Sequence, residues 1–274
     1  MPVFGIGTWM LGGNAQVDPN NDDARDIAAI KAGLEHGLTH IDTAEMYAAG
    51  HAEELVAEAI KGHDRDQLFI ASKAWPSHFS CDAIQIAAES SLKRLKTDYL
   101  DLYMLHKPND DIPLEETMRG LDKLVERGLI KYIGVSNFAV ARLQKAQALS
   151  GNKIVVNQVH YNLISREPET SGLLEYCQQN EIILSAWRPL QKGGLLDVGI
   201  LIEMSEKYGK SPAQVAINWL VSQPNVVTIS TMRSVKHLKE NLGALDWQMD
   251  TNDIEKLRCE FPGQCAVSPD VPLS

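Results

Sequence analysis

The chain has 274 residues, 44% of them hydrophobic and 23% charged, with a formal net charge of -10. That is length and apolar content for one large core, and the acidic balance argues against a nucleic-acid surface, which needs a basic face to neutralise phosphates. Cys81, Cys177, Cys259 and Cys265 show no C-x-x-C spacing, which points to free thiols of a reducing compartment and away from a zinc site. The opening MPVFGIGTWMLGG lacks the basic and apolar regions of a signal peptide, and no apolar run is long enough to span a bilayer. The expectation is a cytoplasmic protein without membrane or metal partners.

Short apolar runs alternate with amphipathic helical patterns along the chain. The run Val3–Trp9 is followed by a helix over Asp22–His36, with Ile27, Ile30 and Leu34 at steps of three and four. Next come the run His40–Ala44, a helix over Glu53–Lys61, the run Leu68–Lys73, a helix over Asp82–Leu95 and the run Leu100–His106. Pro113 suits the first turn of the next helix, and the run Ile130–Asn137 follows it. In the second half, helices are predicted over Val140–Leu149, Leu173–Asn180, Ile200–Tyr208 and Pro212–Ser222, with strands over Val155–Tyr161, Ile182–Pro189 and Val226–Thr231. Helices over Val235–Leu245 and Asn252–Phe261 close the chain.

Eight strand-like runs separated by helices imply parallel pairing, and at this length an α/β fold of the (β/α)8 TIM-barrel type. A doubly wound sheet would want G-x-G-x-x-G after its first strand, and Met10 stands where the third glycine belongs. No linker interrupts the pattern, so residues 1–274 read as a single domain. The chain enters its first strand almost at once, so a hairpin flooring the barrel is expected to be absent.

In such a barrel the chemistry sits at the C-terminal ends of the strands. Asp42 lies near the end of strand two with Tyr47 in the following loop, Lys73 ends strand three, and His106 ends strand four. A phenol is a poor acid near neutrality, with an ordinary pKa of about 10. A lysine ammonium about 4 Å away interacts with its phenolate by roughly 4 kcal/mol at an effective dielectric near 20, which is the size needed to lower that pKa by about two to three. Asp42 would keep the lysine charged and fixed, and His106 would orient a carbonyl or share the proton relay. The set suits a phenol that protonates a carbonyl oxygen while hydride reaches its carbon, and since no side chain donates hydride a cofactor is implied. Taken singly, each residue has an ordinary structural role, as a cap, a packed aromatic or a satisfied histidine. Their convergence on one rim is what carries the reading.

These residues, with the segments GIGTW, HIDTAEMY, ASKAW, LDLYMLH, IGVSNF, NQVHYN, SAWRPL and HLKENLGAL in this order, resemble the aldo-keto reductases over nearly the whole chain. The resemblance implies that Tyr47 is the general acid, Lys73 its partner, Asp42 the lysine's partner and His106 the group that orients the carbonyl. It implies a nicotinamide cofactor, NADPH or NADH. Ser136, Asn137 and Gln158 would hold the carboxamide and Trp187 would stack on the ring. Gly7, Thr8, Trp9 and Asp42 would also bind the cofactor. Arg188, Pro189, Leu190 and Gln191, with Gly193 and Gly194, would line the pyrophosphate, and Thr231, Met232, Arg233, His237, Glu240 and Asn241 the adenosine end. Thr231 and His237 stand where many members carry a lysine and an arginine for the 2′-phosphate, leaving Arg233 as the remaining cation. Ala48 stands where a glycine usually follows the tyrosine.

Few residues follow the last helix, so the expected pocket is open, edged by Trp9, Met46, Tyr47, Trp75, His78 and His106, and admits varied aldehydes and ketones. The expected assembly is a monomer or small homo-oligomer. Two other readings bear on the same residues. Paired-carboxylate hydrolysis by Glu53, Glu54 and Glu58 fits poorly, because Glu54 and Glu58 at i, i+4 read as a solvated helix face. The resemblance also extends to the potassium-channel β subunits, in which a held cofactor acts as a redox sensor with little turnover. The intact set of four residues favours the enzyme.

Overall fold

The computed structural model describes residues 1–274, and eight parallel strands close into a barrel in the order β1 to β8. The strands are β1 (Phe4–Gly7), β2 (His40–Asp42), β3 (Phe69–Ala74), β4 (Leu100–Leu105), β5 (Ile130–Ser136), β6 (Ile154–His160), β7 (Ile183–Trp187) and β8 (Val226–Ser230). Between them run α1 (Asp23–Glu35), α2 (His51–Ala59), α3 (Cys81–Leu95), α4 (Leu114–Glu126), α5 (Val140–Leu149), α6 (Glu167–Thr170), α7 (Leu173–Gln179), α8 (Gly199–Tyr208) and α9 (Pro212–Val221). After β8 come α10 (Val235–Leu242) and α11 (Thr251–Glu260). All eight predicted strands and all ten predicted helices are present, and residues 1–3 lead straight into β1 without a hairpin. The four-residue α6 was not expected from the sequence; it is too short to carry an apolar period.

The helices start where their caps place them. Asp22, Ser80, Ser234 and Asp250 each accept a backbone N–H from the first turn that follows. Ser211 and Gln214 form a reciprocal capping box with Pro212 between them. The helices bury their apolar stripes against the outside of the barrel in one continuous cluster of 55 buried residues. Inside the barrel Ala71, Leu102, Met104 and Val156 form a second, small cluster.

This inner cluster fixes which residues reach the rim. Side chains on one face of a strand recur every second residue, so Lys73 follows Ala71, Gln158 follows Val156, and His106 follows Leu102 and Met104. Asp42 pairs in register with Ala71 and with Gly7, and Lys73 with Met104. Asp42, Lys73 and His106 therefore climb one pleat at a time around the inner face. Glycines make room for this packing: a Cβ on Gly5 would lie 2.4 Å from His40 Nδ1, and one on Gly134 2.7 Å from Met104 Cγ.

Candidate active site

Lys73 is the centre of the rim. Its side chain and that of Asp42 are each 1% exposed, and its ammonium donates to Asp42 Oδ1 at 2.6 Å, to the Thr43 carbonyl at 2.9 Å and to the Tyr47 hydroxyl at 3.2 Å. Three acceptors use its three protons. The second Asp42 oxygen accepts from Gln158 Nε2 at 2.8 Å, so the carboxylate that fixes the lysine is itself fixed from β6. Burial alone would lower the Lys73 pKa; the charge of Asp42, with the hydrogen bonds to Asp42 and Tyr47, outweighs it and holds the ammonium above its ordinary range.

Tyr47 comes from the loop after β2. Residues Tyr47–Gly50 make a kinked turn with Ala48 and Ala49 both in the left-handed region, φ 49° and 52°. Their N–H groups donate to the carbonyls of Asn14 and Ala15, which pins the turn where glycine is absent. The phenol ring packs edge-on against Trp9 at 5.0 Å and His106 at 5.5 Å between centroids. One expectation needs correcting. Burial raises the Tyr47 pKa above its ordinary value, and Lys73 only opposes this, because Asp42 already offsets the lysine's charge and itself pushes the phenol upward. In the free protein the phenol is a held proton donor rather than a phenolate.

His106 stands across from Tyr47. Burial, then the charges of Lys73 and Lys107, push its imidazole pKa well below the ordinary value, so the ring is neutral at pH 7. Its Nδ1 is buried without a partner. Trp75 lies edge-on to it at 5.1 Å and is anchored by its own backbone N–H, which donates to Glu45 Oε1 at 2.6 Å. The same oxygen meets His78 Nδ1 at 2.9 Å. Glu45 was not singled out from the sequence, and a lone carboxylate in a loop gives no signal that it will cap a neighbouring strand's exit. Met46 and Trp9 are half-buried beside Tyr47, so Trp9, Met46, Tyr47, His106 and Trp75 adjoin one another, with His78 joined to them through Glu45. Thr8 is buried beneath it, with N–H and hydroxyl both on the Asp42 carbonyl, and Gly7 pairs with Asp42 in register.

A nicotinamide fits the opposite side of the mouth on donor chemistry. Ser136 Oγ is buried at the end of β5 with no protein partner, as a hydroxyl waiting for a carboxamide would be. Asn137 follows in the left-handed region at φ 60°, with Trp187 Nε1 donating to its Oδ1 at 3.4 Å. One face of Trp187 is taken by His160, stacked at 4.3 Å and 8°, and the Arg188 guanidinium also lies over the ring, 5.2 Å from its centroid. Gln158 already serves Asp42 and approaches Ser185 Oγ at 3.5 Å.

Arg188 stands in the left-handed region at φ 56°, Gln191 at 46°, and Pro189 and Leu190 between them form the turn. Gln191 Oε1 meets His160 Nε2 at 3.0 Å and accepts from Asn162 Nδ2 at 3.0 Å. Gly193 and Gly194 close this loop. Of the residues expected at the adenosine end, Met232 and Asn241 are buried, Glu240 is half-buried, and Thr231 and His237 are exposed. Arg233, the cation reserved for a 2′-phosphate, forms an ion pair with buried Asp26 at 2.8 Å and donates to the Met10 carbonyl.

The residues after α11 are packed against the barrel. Residues 262–274 run across the exits of β5, β6 and β7. Glu167, buried in α6, accepts the N–H groups of Ser268 at 2.8 Å and Leu273 at 3.2 Å. Ser274 exchanges backbone bonds with Asn137 and Ala139, and Asp270 pairs with Arg188. The tail thus packs beside Asn137, His160 and Arg188, residues on the expected cofactor side. Glu53, Glu54 and Glu58 supply no hydrolytic pair: Glu53 is fully buried against Arg94 and Ser72, Glu54 meets His51, and Glu58 pairs with Lys96. No three or more histidine, cysteine, aspartate or glutamate side chains are grouped as metal ligands would be.

A sequence model of the Aldo/keto reductase family matches residues 3–259. The chain belongs to the aldo/keto reductase family. This family member is 37% identical over 268 residues to methylglyoxal reductase YeaE of Escherichia coli, covering 96% of the chain and 92% of that protein. It is 37% identical over 259 residues to the glyoxal reductase of Bacillus subtilis, covering 94% of the chain and 88% of that protein. Among solved structures, a thermostable aldo-keto reductase in complex with the inhibitor epalrestat superposes with a TM-score of 0.92 at 43% identity, over 94% of both chains. An aldo-keto reductase of Klebsiella pneumoniae in complex with NADPH superposes at 0.87 with 38% identity, over 97% of this chain and 92% of that one. No helix of this reductase is long and apolar enough to cross a membrane.

Proposed function

We propose that the chain reduces small aldehydes and ketones to alcohols with NADPH, reactive dicarbonyl compounds of the methylglyoxal and glyoxal type included. The observation that carries this reading is the Lys73 ammonium, shared between Asp42 at 2.6 Å and the Tyr47 hydroxyl at 3.2 Å on a rim that also holds a neutral His106. The relatives named for methylglyoxal and glyoxal reduction support the substrate class, and the NADPH complex of the Klebsiella enzyme supports the cofactor. When bound, the reduced nicotinamide supplies hydride.

The chain's own residues then handle the oxygen. Neutral His106 orients the carbonyl by donating a hydrogen bond from its ring without competing as an acid. Tyr47 transfers its hydroxyl proton as negative charge develops on that oxygen. The phenolate left behind lies beside Lys73, whose charge Asp42 preserves, so a proton transfer that is costly in the free protein becomes affordable as the product forms. Ser136, Asn137 and Gln158 would hold the carboxamide and Trp187 the ring face, while Arg188 and Gln191 would meet the pyrophosphate.

The test follows oxidation of NADPH, and separately NADH, with methylglyoxal, glyoxal and benzaldehyde, in wild type and Tyr47→Phe. Loss of the phenolic proton should lower kcat by about 10² to 10⁴ with cofactor affinity retained. A wild-type protein that binds NADPH yet reduces none of these carbonyls would overturn the reading in favour of a cofactor-holding regulatory role.

A further inference from the structure

Next to His106 the sequence places Lys107, and the structure folds this exposed side chain back over the face of Trp75, with Nζ 4.7 Å from the ring centroid. A lysine on a rim ordinarily extends into water. This one is held over an aromatic whose edge meets His106 at 5.1 Å, and its charge reaches far enough inward to press on the His106 imidazole.

No carboxylate forms an ion pair with it, and the acids nearest in the sequence and around Trp75 have other partners. Glu45, on the near side of Trp75, is occupied by the Trp75 N–H and by His78. Asp110, three residues along, pairs with Arg142 at 2.6 Å. The buried cation, Lys73, is balanced by Asp42. On a chain of net charge -10, the mouth therefore carries an ammonium that forms no ion pair, set one indole ring away from the group that orients the carbonyl. Such a charge at the entrance of a partly desolvated cleft attracts and retains anions.

We propose that Lys107 is a specificity-determining residue and that the site favours carbonyl compounds carrying a carboxylate on the far side of a flat spacer from the reacting carbon. With the carbonyl oxygen at Tyr47 and His106, the spacer lies along Trp75 and the carboxylate reaches Lys107. This inference rests on the reading of Tyr47 and its neighbours as a carbonyl-reducing centre.

The experiment compares 4-carboxybenzaldehyde with 4-formylbenzamide, which share ring, reacting group and size and differ in charge. The readout is the ratio of their kcat/KM values, in which any general effect of a substitution cancels. Wild type should favour the carboxylate by about five-fold at low ionic strength, the range of an exposed charge pair. The preference should reside in KM and shrink as salt screens the pair. Lys107→Gln should bring the ratio to about one and Lys107→Glu should invert it. A wild-type ratio near one, or a ratio that Lys107→Gln leaves unmoved, overturns the inference while carbonyl reduction stands. If NADPH-binding wild type reduces neither aldehyde, the catalytic reading fails and this inference with it.

Discussion

Arg233 lies 2.8 Å from Asp26, a carboxylate 2% exposed that also accepts the Gly12 N–H and the Asn21 amide at 2.9 Å each. The cation expected nearest a 2′-phosphate is thus already partnered, and it ties the loop after β8 to α1 and to the loop after β1. A phosphate meeting it gains only what Asp26 leaves over, in the range of an exposed pair, about 0.2–1 kcal/mol. NADPH and NADH should accordingly bind within about five-fold of each other by titration of protein fluorescence. Asp26→Asn, which keeps hydrogen-bonding capacity but drops the charge, should tighten NADPH selectively. A tenfold selective loss of NADPH affinity in Arg233→Met would show that the pair opens for the phosphate and would sink this prediction.

His40 sits on the inner face of β2, two residues before Asp42, with Nδ1 buried and unpartnered and its ring edge-on to Phe69 at 5.5 Å. Burial, only partly opposed by Asp42, lowers its pKa from 6.5 to about 4. The fold holds the neutral ring while the unfolded chain binds a proton below about 6.5, so stability is complete above that pH and declines as pH falls toward 4. Between pH 7 and pH 5 the loss from this one residue should be about 2 kcal/mol. Urea unfolding at the two pH values should show that decrement in wild type and a correspondingly smaller one in His40→Gln. Equal decrements would mean that the ring is hydrated in the folded state.

The barrel was legible because fully buried parallel strands read as short apolar runs, and the polar residue that ends each run falls on the rim. Asp42, Lys73 and His106 were found by that logic. What escaped has particular causes. The Tyr47 pKa depends on burial and on Asp42 offsetting Lys73, neither of which a spacing reports. The Arg233–Asp26 pair joins residues 207 apart in sequence. The tail, rich in turn residues (PGQCAVSPDVPLS), has no period that would announce docking. The kink after Tyr47 was half legible: alanine in place of glycine marked the position, but not that two successive residues would turn left-handed.

That kink makes a prediction about Ala48. A left-handed backbone costs a non-glycine residue about 1–2 kcal/mol, whereas glycine costs about 0.5–1 kcal/mol more than alanine in ordering the chain. Ala48→Gly should therefore leave stability unchanged or raise it by up to about 1 kcal/mol in urea unfolding, although Ala48 is fully buried. A loss above about 1 kcal/mol would mean that the Ala48 methyl, packed near Gly12, matters more than the backbone it strains.

The tail hangs on Glu167, whose two carboxylate oxygens accept from Ser268 and Leu273 and leave Asp270 facing Arg188. Hydrogen bonds to a charged group contribute about 1.5–3 kcal/mol each in favourable cases, and these two close one segment. Glu167→Ala should free residues 268–274, raising amide exchange at Ser268 and Leu273 by about ten-fold or more while β1 to β4 keep their protection. Because Asp270 then no longer balances Arg188, the pyrophosphate meets an unpaired guanidinium on a looser loop. NADPH should consequently both associate and dissociate faster in stopped-flow traces, with affinity changed less than either rate. Accelerated exchange without any change in the two rates would confine the tail to a structural role and detach it from cofactor binding.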